Sequence, residues 1–459
     1  MTRTAPLPWL ALALAVGAGV SVLPAPSGWA RTETPAPLPR LTAEATSGQH
    51  RGHLVNAATG ERFTPRGANY VRLTEVAWSG GAYHSTFEPG RYTGAEADRV
   101  LAALAADGHN AVRVFVDPGS RYDAEHGVPH GVGRGAGHDE PYHGPYLDNT
   151  ADFLRRAAAH RVRVLLTFER IAENAHYDRM TGGWDSGEVP IEGHNNEYLN
   201  GNYLKAKAAY LRNFVTGLRQ RAGDALTAVL AYQTDNEAYV VGDQGPFNRV
   251  VGRVRTADGN SYDMADAASR QQAQDANMTL ASQLLGDAIR EADPKALVTT
   301  GFFTYAAVGK PGPQGLPARC QSNCSPGVDY RYPVRPAVLR RHGRLDFLDL
   351  HLYPVDQPLN SPYQLDRDLA SSEFDQVGGV IVLGEYGAFR EAFGHDVVRA
   401  AHAMRELQVQ TCEKGLTGWL YWTYDTRETA DQRRIFTLTD NNGAINGQLA
   451  PRARPDPCD

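Results

Sequence analysis

Residues 380–387 read Val-Ile-Val-Leu-Gly-Glu-Tyr-Gly, so that a glutamate, Glu385, closely follows a run of large apolar residues. A second run at 228–233, Ala-Val-Leu-Ala-Tyr-Gln, is followed by Thr-Asp-Asn and then Glu237. Continuous apolar runs of this length are typical of strands that are buried on both faces, as in a parallel sheet. The two runs therefore predict two strands of a parallel sheet, each ending close to a carboxylate.

Similar patterns recur along the chain and alternate with helical ones. Apolar runs predict strands at 67–71, 111–116, 162–168, 225–233, 296–300, 347–352, 380–383 and 417–421. Apolar residues at helical spacing predict helices at 96–107, 149–160, 203–222, 264–292, 335–342 and 396–414. Strands that alternate with helices in this way predict either a closed (β/α)₈ barrel or a doubly wound sheet.

Two features favour the barrel. The first strand is followed by no glycine-rich phosphate-binding turn, which a dinucleotide-binding sheet would need. Polar and aromatic residues cluster after the carboxyl ends of many strands, where barrel enzymes place their chemistry. The long segments after strands two to five, at 117–148, 169–202, 238–263 and 305–333, would then surround one rim. The predicted fold is an α/β (β/α)₈ TIM barrel with long insertions on the C-terminal rim.

The first thirty residues have the pattern of a secretory signal peptide. Arg3 precedes an apolar stretch at 9–23, and the small residues Gly28 and Ala30 stand where signal peptidase reads. We expect residues 1–30 to be removed, with an uncleaved N-terminal anchor as the alternative. Residues 31–49 are expected to form a flexible leader and residues 50–459 a single barrel domain. The predicted location is secreted, either extracellular or periplasmic, with no membrane contact after cleavage.

Charge and cysteine content narrow the function further. The formal net charge of −6 gives no support to a nucleic-acid partner. The chain has four cysteines, Cys320, Cys324, Cys412 and Cys458, and an even number in an exported chain favours disulfides. Of the three possible connectivities we favour Cys320–Cys324 with Cys412–Cys458. A zinc site lacks a second closely spaced cysteine pair, so no metal is predicted.

Paired carboxylates at strand ends are what the hydrolysis of a glycosidic bond requires. One carboxyl group must donate a proton to the leaving oxygen, and the other must be ionised to act as nucleophile or base. Either glutamate taken alone is better explained as a surface or ion-paired loop residue. The pair, at the ends of two barrel strands and among aromatic neighbours, favours catalysis by Glu237 and Glu385.

Six short motifs in barrel order resemble clan A of the glycoside hydrolases, and most closely family 5, the cellulase and mannanase family. The matching segments are the hairpin and Gly-x-Asn strand at 52–69, Asn-Ala-Val-Arg-Val at 110–114, Thr-Asp-Asn-Glu at 234–237, Asp-Leu-His-Leu-Tyr at 349–353, Leu-Gly-Glu-Tyr-Gly at 383–387 and Gly-Trp-Leu-Tyr-Trp at 418–422. The resemblance implies a retaining β-glycosidase that needs no cofactor. It makes Glu237 the acid/base and Glu385 the nucleophile, acting on an oligosaccharide, polysaccharide or other glycoside.

The same motifs supply candidate substrate-binding residues. Asn236 would hydrogen-bond the 2-hydroxyl of the sugar, and Arg113 would keep Glu385 ionised. Tyr353 would hold the Glu385 carboxylate, and His351 would orient the acid/base or a sugar hydroxyl. Trp422 would offer a flat apolar face to the sugar ring.

Other aromatic residues are weaker candidates for sugar stacking, and only two or three of them are expected in the site: Tyr70, Trp78, Trp184, Tyr239 and Tyr386. The chain also departs from the family pattern, because Glu169 or Arg170 follows the third strand where family 5 usually has a histidine. A cluster in one insertion, His130, His138, Asp139, Glu140 and His143, has a spacing that fits no standard metal site.

Three other functions use the same residues. A transglycosylase would transfer the sugar to another sugar instead of to water. A carbohydrate-binding barrel would bind glycans without turnover. An inverting enzyme would need a wider gap between the two carboxylates.

Overall fold

A computed structural model describes residues 37–45, 52–313, 315–316, 327–354 and 362–458. The predicted signal peptide at 1–30 and the predicted Cys320–Cys324 disulfide lie outside these residues. Within the described ranges, no helix combines the length and the hydropathy that crossing a membrane requires.

Parallel strands form a closed barrel within the described residues. In chain order they are β1 (Arg66–Asn69), β2 (Ala111–Phe115), β3 (Arg163–Thr167), β4 (Val229–Gln233), β5 (Val298–Thr299 and Gly301–Phe303), β6 (Phe347–Leu352), β7 (Val380–Tyr386) and β8 (Trp419–Tyr421). The two halves of β5 close the ring, since Val298–Thr299 pairs with β4 and Gly301–Phe303 pairs with β6. β8 pairs with both β7 and β1. The predicted (β/α)₈ barrel is confirmed.

A helix follows each barrel strand. These helices are α1 (Gly94–Ala106), α2 (Gly144–Ala159), α3 (Gly201–Ala222), α4 (Ala267–Ala292), α5 (Pro336–His342), α6 (Pro362–Ser371), α7 (Val397–Glu413) and α8 (Asn446–Leu449). Helix α4 begins later than the predicted residue 264, because the side chain of Asp266 caps it by accepting hydrogen bonds from the amides of Ala268 and Ser269. Helix α6 was not predicted from the sequence.

Alternation along each strand divides the core into two layers. On β6, Leu348 and Leu350 face the helices and join the large outer core, whereas Phe347 joins a second cluster inside the barrel. That inner cluster consists of Leu41, Leu54, Ala111, Leu165, Leu230, Ala231, Leu297, Phe347, Val380, Val382 and Leu420. Towards the carboxyl ends of the strands, the buried residues Asn69, Arg113 and Gln233 replace these apolar side chains. The barrel therefore has an apolar floor and a polar mouth.

A small antiparallel sheet covers the floor and corrects the prediction of a flexible leader at 31–49 where that prediction falls on the described residues 37–45. Leu41–Ala45 pairs along its whole length with Gly52–Asn56, which pairs in turn with Arg62–Phe63. Leu41 and Leu54 are buried in the inner cluster, so a strand in this position covers apolar surface that would otherwise face water. The predicted hairpin around residues 57–60 is confirmed.

The insertions carry short elements on the C-terminal rim. The antiparallel pair Leu73–Val76 and Gly81–His84, which we call the rim hairpin, follows β1. The other short strand pairs are Tyr239–Val241 with Arg331–Pro333, Arg253–Arg255 with Ser261–Asp263, and Ala388–Phe389 with Ile435–Phe436. Further short helices are Arg121–Glu125, Ala175–Thr181, Asn196–Leu199, Ala430–Arg433 and Asp440–Gly443.

The C-terminal tail is tied to the barrel. A disulfide joins Cys412, in the last turn of α7, to Cys458, so this predicted pairing is confirmed. Arg66, at the start of β1, donates hydrogen bonds to the carbonyls of Arg454 and Pro455. These contacts hold the tail against the side of the barrel that carries the floor.

Candidate active site

The two predicted catalytic glutamates meet at the mouth of the barrel. Glu385 lies near the end of β7 in register with His351 of β6, and Glu237 follows the end of β4 by four positions. A carboxylate oxygen of Glu237, a ring nitrogen of His351 and a carboxylate oxygen of Glu385 all lie within 4.8 Å of one another. Retaining glycosidases hold their two carboxyl groups about 5–5.5 Å apart and inverting ones about 6.5–9.5 Å. The observed approach fits the shorter separation.

Glu385 is held at both carboxylate oxygens. Arg113 Nη1 donates to its Oε1 at 2.5 Å, and the Tyr353 hydroxyl donates to its Oε2 at 2.9 Å. The side chain is only 8% exposed. A buried carboxylate with a guanidinium on one oxygen and a hydroxyl donor on the other is fixed in place.

Arg113 is fully buried and needs several partners to compensate for the loss of hydration. It donates from Nε to Gln233 Oε1 at 2.8 Å, from Nη1 to Asn69 Oδ1 at 2.9 Å and from Nη2 to Asn236 Oδ1 at 2.6 Å. Its guanidinium therefore connects the ends of β1, β4 and β7. The planar fork fixes Asn236 and Glu385 relative to each other.

A buried carboxyl group lies beneath this network. Asp349 of β6 accepts a hydrogen bond from Gln233 Nε2 at 2.7 Å and lies 3.6 Å from Arg113 Nε. Burial raises the pKa of Asp349. A side chain at Gly384 would collide with it, because a Cβ there would lie 1.8 Å from Asp349 Oδ1. Glycine is therefore required directly before Glu385.

Glu237 is held more loosely than Glu385. Its Oε1 lies 2.9 Å from His351 Nδ1, its Oε2 lies 3.7 Å from Arg331 Nη1, and its side chain is 24% exposed. Burial works to raise the pKa of Glu237, but His351, Arg331 and Arg113 outweigh it and lower the pKa overall.

His351 is joined to the Glu237 carboxylate by a hydrogen bond along which a proton can move. Burial works to lower the pKa of His351, but the carboxylates of Glu385 and Glu237 outweigh it and raise the pKa. Both directions favour a charged imidazole beside an ionised Glu237 carboxylate. A shift of the imidazole proton across the 2.9 Å hydrogen bond would give a neutral Glu237 carboxyl group.

A cavity of about 730 Å³ opens beside Glu385. Asn236, Tyr353 and Trp422 are among its walls, whereas Glu237 stands next to it. Trp422 donates from Nε1 to Gln432 Oε1 at 2.9 Å and packs edge-on against Phe115. The other lining residues come from the ends of β2 and β7, the rim hairpin, the start of the insertion after β3, the strand Ala388–Phe389 and the segment around 429–435: Leu73, Glu75, Gly80, Gly81, Ala82, His84, Phe115, Glu169, Glu385, Phe389, Thr429, Ala430, Asp431, Gln432, Arg434 and Ile435.

The additional aromatic candidates do not line this cavity. Tyr386 packs on Tyr421 outside the barrel, and Tyr70 is buried against Phe153. Trp184 lies over Gly201 at the start of α3. The remaining two lie elsewhere on the rim, since Trp78 stacks on His126 and Tyr239 stacks on His194.

The histidines of the insertion after β2 have separate roles. His130 is buried between Asp117, at 3.0 Å, and Asp123, at 2.9 Å, in a polar network behind the rim hairpin. His138, Glu140 and His143 line a smaller pocket that contains no residue of the barrel mouth. The insertion therefore does not bring the candidate cluster together.

Several residues of the site were not predicted as functional. Asn69, Gln233 and Asp349 support Arg113 from below, and each is a polar residue inside an apolar strand, which is a usable sequence signal. The rim hairpin gave no such signal, because its place over the cavity depends on contacts between segments distant in sequence.

No protein-family model matches the sequence, and comparison with curated proteins finds no match. Among solved structures, the exo-β-1,4-mannosidase Op5Man5 from Opitutaceae bacterium strain TAV5 is similar with a TM-score of 0.53 and 18% identity, over 88% of this chain and 61% of its own. The endo-1,4-β-D-mannanase from Thermotoga petrophila RKU-1 is similar with a TM-score of 0.52 and 14% identity, over 84% of this chain and 99% of its own. The family 5 mannosidase from Rhizomucor miehei is similar with a TM-score of 0.51 and 12% identity, over 90% of this chain and 97% of its own. At such identities these likenesses establish the fold, and the chain spans about three fifths (61%) of the first structure's length.

Proposed function

We propose that this protein is a retaining glycoside hydrolase that cleaves a β-linked glycan or glycoside by double displacement, with Glu385 as nucleophile and Glu237 as acid/base. The observation that carries the proposal is the approach of the two carboxylates to within 4.8 Å at the mouth of a (β/α)₈ barrel. The different environments of the two groups support different roles. Glu385 is fixed by Arg113, whereas Glu237 exchanges a proton with His351.

In the first step, a carboxylate oxygen of Glu385 attacks the anomeric carbon of the bound sugar. The bond to the leaving oxygen breaks with its electron pair, and Glu237 gives that oxygen a proton. His351 supplies the proton to Glu237 across their hydrogen bond. The products of this step are the free alcohol and a glycosyl ester on Glu385.

In the second step, water takes the place of the leaving alcohol. Glu237, now ionised, accepts a proton from the water as its oxygen bonds to the anomeric carbon. The ester bond breaks and Glu385 regains its negative charge, which Arg113 and Tyr353 stabilise. Two displacements at one carbon return the β configuration.

Asn236 and Trp422 are proposed to position the sugar. The Asn236 Oδ1 accepts from Arg113, which leaves its amide nitrogen to donate to the 2-hydroxyl next to the reacting carbon. Trp422 lines the cavity beside Glu385 and offers an apolar ring face to the sugar. A β-linked mannoside is the first substrate to test, because the structural neighbours named above include mannosidases and a mannanase.

We also propose that the protein is secreted after removal of residues 1–30 and acts as one domain. The basis is the charged, apolar and small-residue order of the N-terminus. Sequencing of the mature N-terminus from the culture medium of a host cell would test it. A chain retained with residues 1–30 intact would contradict it.

The activity is tested with a panel of aryl β-glycosides carrying mannose, glucose, galactose or xylose. We expect turnover of at least one by the unmodified protein, loss of turnover in Glu385→Gln, and unchanged turnover in the surface control Glu391→Gln. The first-formed sugar should be the β anomer by NMR. An α product would make Glu385 the base of an inverting enzyme. Binding without turnover would instead indicate a carbohydrate-binding barrel.

A further inference from the structure

Glu169 lines the same cavity as Glu385. It follows β3 and Phe168, whose ring packs outward against Tyr210 and Phe214 beneath α3. Adjacent side chains of an extended segment point to opposite sides, and Glu169 accordingly lines the cavity with Asn236 and Glu385.

The backbone at Glu169 is fixed relative to the catalytic segment. Lys207 of α3 is buried, and its Nζ donates to the Glu169 carbonyl at 2.5 Å and to Asp235 Oδ2 at 3.0 Å. Asp235 stands two positions before Glu237. The Phe168 amide also donates to the Gln233 carbonyl at the end of β4. Glu169 is thereby held in a set position relative to both Asn236 and Glu237.

The Glu169 carboxyl group differs from the two catalytic ones in its partners. Among the described residues, Glu385 and Glu237 both have hydrogen-bonding side chains, whereas no hydrogen bond or ion pair reaches the carboxylate of Glu169. Burial raises its pKa to about 7, the carboxylates of Asp117 and Asp235 add to that rise, and Arg170 opposes it. A half-buried carboxyl group that lines a cavity and has no protein partner is suited to accept hydrogen bonds from a ligand.

The charges around the cavity indicate what kind of ligand this is. Glu75, Asp431 and Glu169 line it together with Glu385, against one lining cation, Arg434. Such a surface repels a ligand that carries a carboxylate. It suits a neutral sugar, whose hydroxyl groups donate hydrogen bonds.

We infer that Glu169 recognises the glycone, accepting hydrogen bonds from the hydroxyl groups of a neutral sugar beside Glu385 and excluding glycones that carry a carboxylate, such as uronic acids. This inference rests on the proposed function, since it assigns the cavity to the glycone of that reaction. We assign the distinction between neutral and acidic sugars to Glu169, because it lines the same cavity as Asn236 and Glu385 and its backbone carbonyl is held by Lys207.

The first test compares the unmodified protein, Glu169→Gln and the control Glu173→Gln, a half-buried carboxyl group of the same insertion that does not line the cavity. For the best neutral aryl β-glycoside we expect Glu169→Gln to lower kcat/KM by roughly 10- to 100-fold. The ratio of neutral-glycoside to β-glucuronide turnover should fall at least about tenfold, because the repelling charge is gone. Glu173→Gln should leave both values unchanged. Equal kcat/KM and an equal ratio in Glu169→Gln would overturn the inference.

The second test does not depend on turnover. Titration calorimetry compares the binding of the methyl β-glycoside of the same sugar by Glu385→Gln and by Glu385→Gln/Glu169→Gln, after circular dichroism confirms that both are folded. If no aryl glycoside is cleaved, methyl β-mannoside is the ligand. We expect the second substitution to weaken binding at least about tenfold. An affinity that stays within twofold overturns the inference. An absence of all turnover together with this loss of affinity contradicts the proposed function and upholds the role of Glu169.

Discussion

The ends of β4 and β7 each present one glutamate to the mouth of the barrel, but they hold it differently. Glu385, on β7, is 8% exposed, and its two carboxylate oxygens receive hydrogen bonds from the buried Arg113 and the half-buried Tyr353. Glu237, beyond β4, is 24% exposed and shares a proton with His351, while Arg331 approaches from the solvent side.

This difference corresponds to two chemical demands. A nucleophile must be ionised and aimed at one point, so fixed donors and exclusion of water serve it. An acid/base must change its protonation state twice in each cycle, so a titrating partner and access to solvent serve it. The barrel therefore makes one strand end rigid and the other able to exchange protons.

Removing each glutamate in turn gives the largest expected effects and separates the two strand ends. On a dinitrophenyl β-glycoside, whose leaving group needs no proton, Glu385→Gln should lose at least about 10⁴-fold in kcat. Glu237→Ala should lose roughly 10²- to 10⁴-fold, mostly in release of the enzyme-bound sugar. Added azide should restore turnover only in Glu237→Ala and give the β-glycosyl azide. An α-glycosyl azide from Glu237→Ala would mean that Glu237 is the nucleophile and Glu385 the acid/base.

The next largest effect is expected when the hydrogen bonds around Glu385 are loosened while the positive charge beside it is kept. Lysine in place of Arg113 keeps a positive charge but cannot reach Gln233, Asn69 and Asn236 with one planar fork. We expect Arg113→Lys to lower kcat/KM by roughly 10²- to 10³-fold. The surface control Arg99→Lys should have no effect, and thermal unfolding should show that both variants are folded. A change of less than about fivefold would mean that geometry at Glu385 matters less than charge.

The role of the Glu237–His351 pair at the end of β4 is tested by measuring the pH dependence of kcat/KM in a variant in which His351 is substituted. The last proton leaves the Glu237–His351 pair at a higher pH than it would leave Glu237 alone, because the pKa of His351 is raised. We therefore expect His351→Gln to move the alkaline limb of the profile to lower pH and to reduce kcat/KM roughly tenfold at pH 7. An unchanged alkaline limb would show that His351 does not hold the catalytic proton.

Substitution of Arg331 is expected to give the smallest effect, and to shift the alkaline limb of the pH profile in the opposite direction to substitution of His351. Its guanidinium is one of the groups that lower the pKa of Glu237. Without it the pair holds its proton more tightly, so Arg331→Gln should move the alkaline limb to higher pH, and only slightly because the arginine is partly exposed and screened. The exposed control Arg255→Gln should leave the profile unchanged. A shift to lower pH would mean that Arg331 acts through substrate binding instead.

The fold could be predicted because the barrel strands other than β1 are buried and largely apolar, and β6 was predicted to the residue at 347–352. The prediction of a flexible leader was wrong over residues 37–45. Only two large apolar residues, Leu38 and Leu41, distinguish this stretch from a disordered segment. Helix α6 was missed although its sequence carries a helical signal, since Leu365 and Leu369 stand one turn apart and are both buried.

The site was predictable where the chemistry lies at strand ends and unpredictable where it depends on loops. Arg113, Asn236, His351 and Tyr353 were placed by their position relative to the strands, and the structure brings them to the two glutamates. Tyr386 should have been rejected, since it follows Glu385 in a strand and must point to the opposite face. The walls formed by the rim hairpin and residues 429–435 require contacts that no local pattern contains.

The most direct test of the central claim is to trap the covalent intermediate. The protein is incubated with the 2-deoxy-2-fluoro derivative of the β-glycoside that it hydrolyses, and the labelled peptide is identified by mass spectrometry. The proposed mechanism predicts inactivation with one sugar attached to Glu385, and no label in Glu385→Gln. A label on another residue, or continued hydrolysis of the parent glycoside without any adduct, would contradict the assignment of Glu385 as nucleophile.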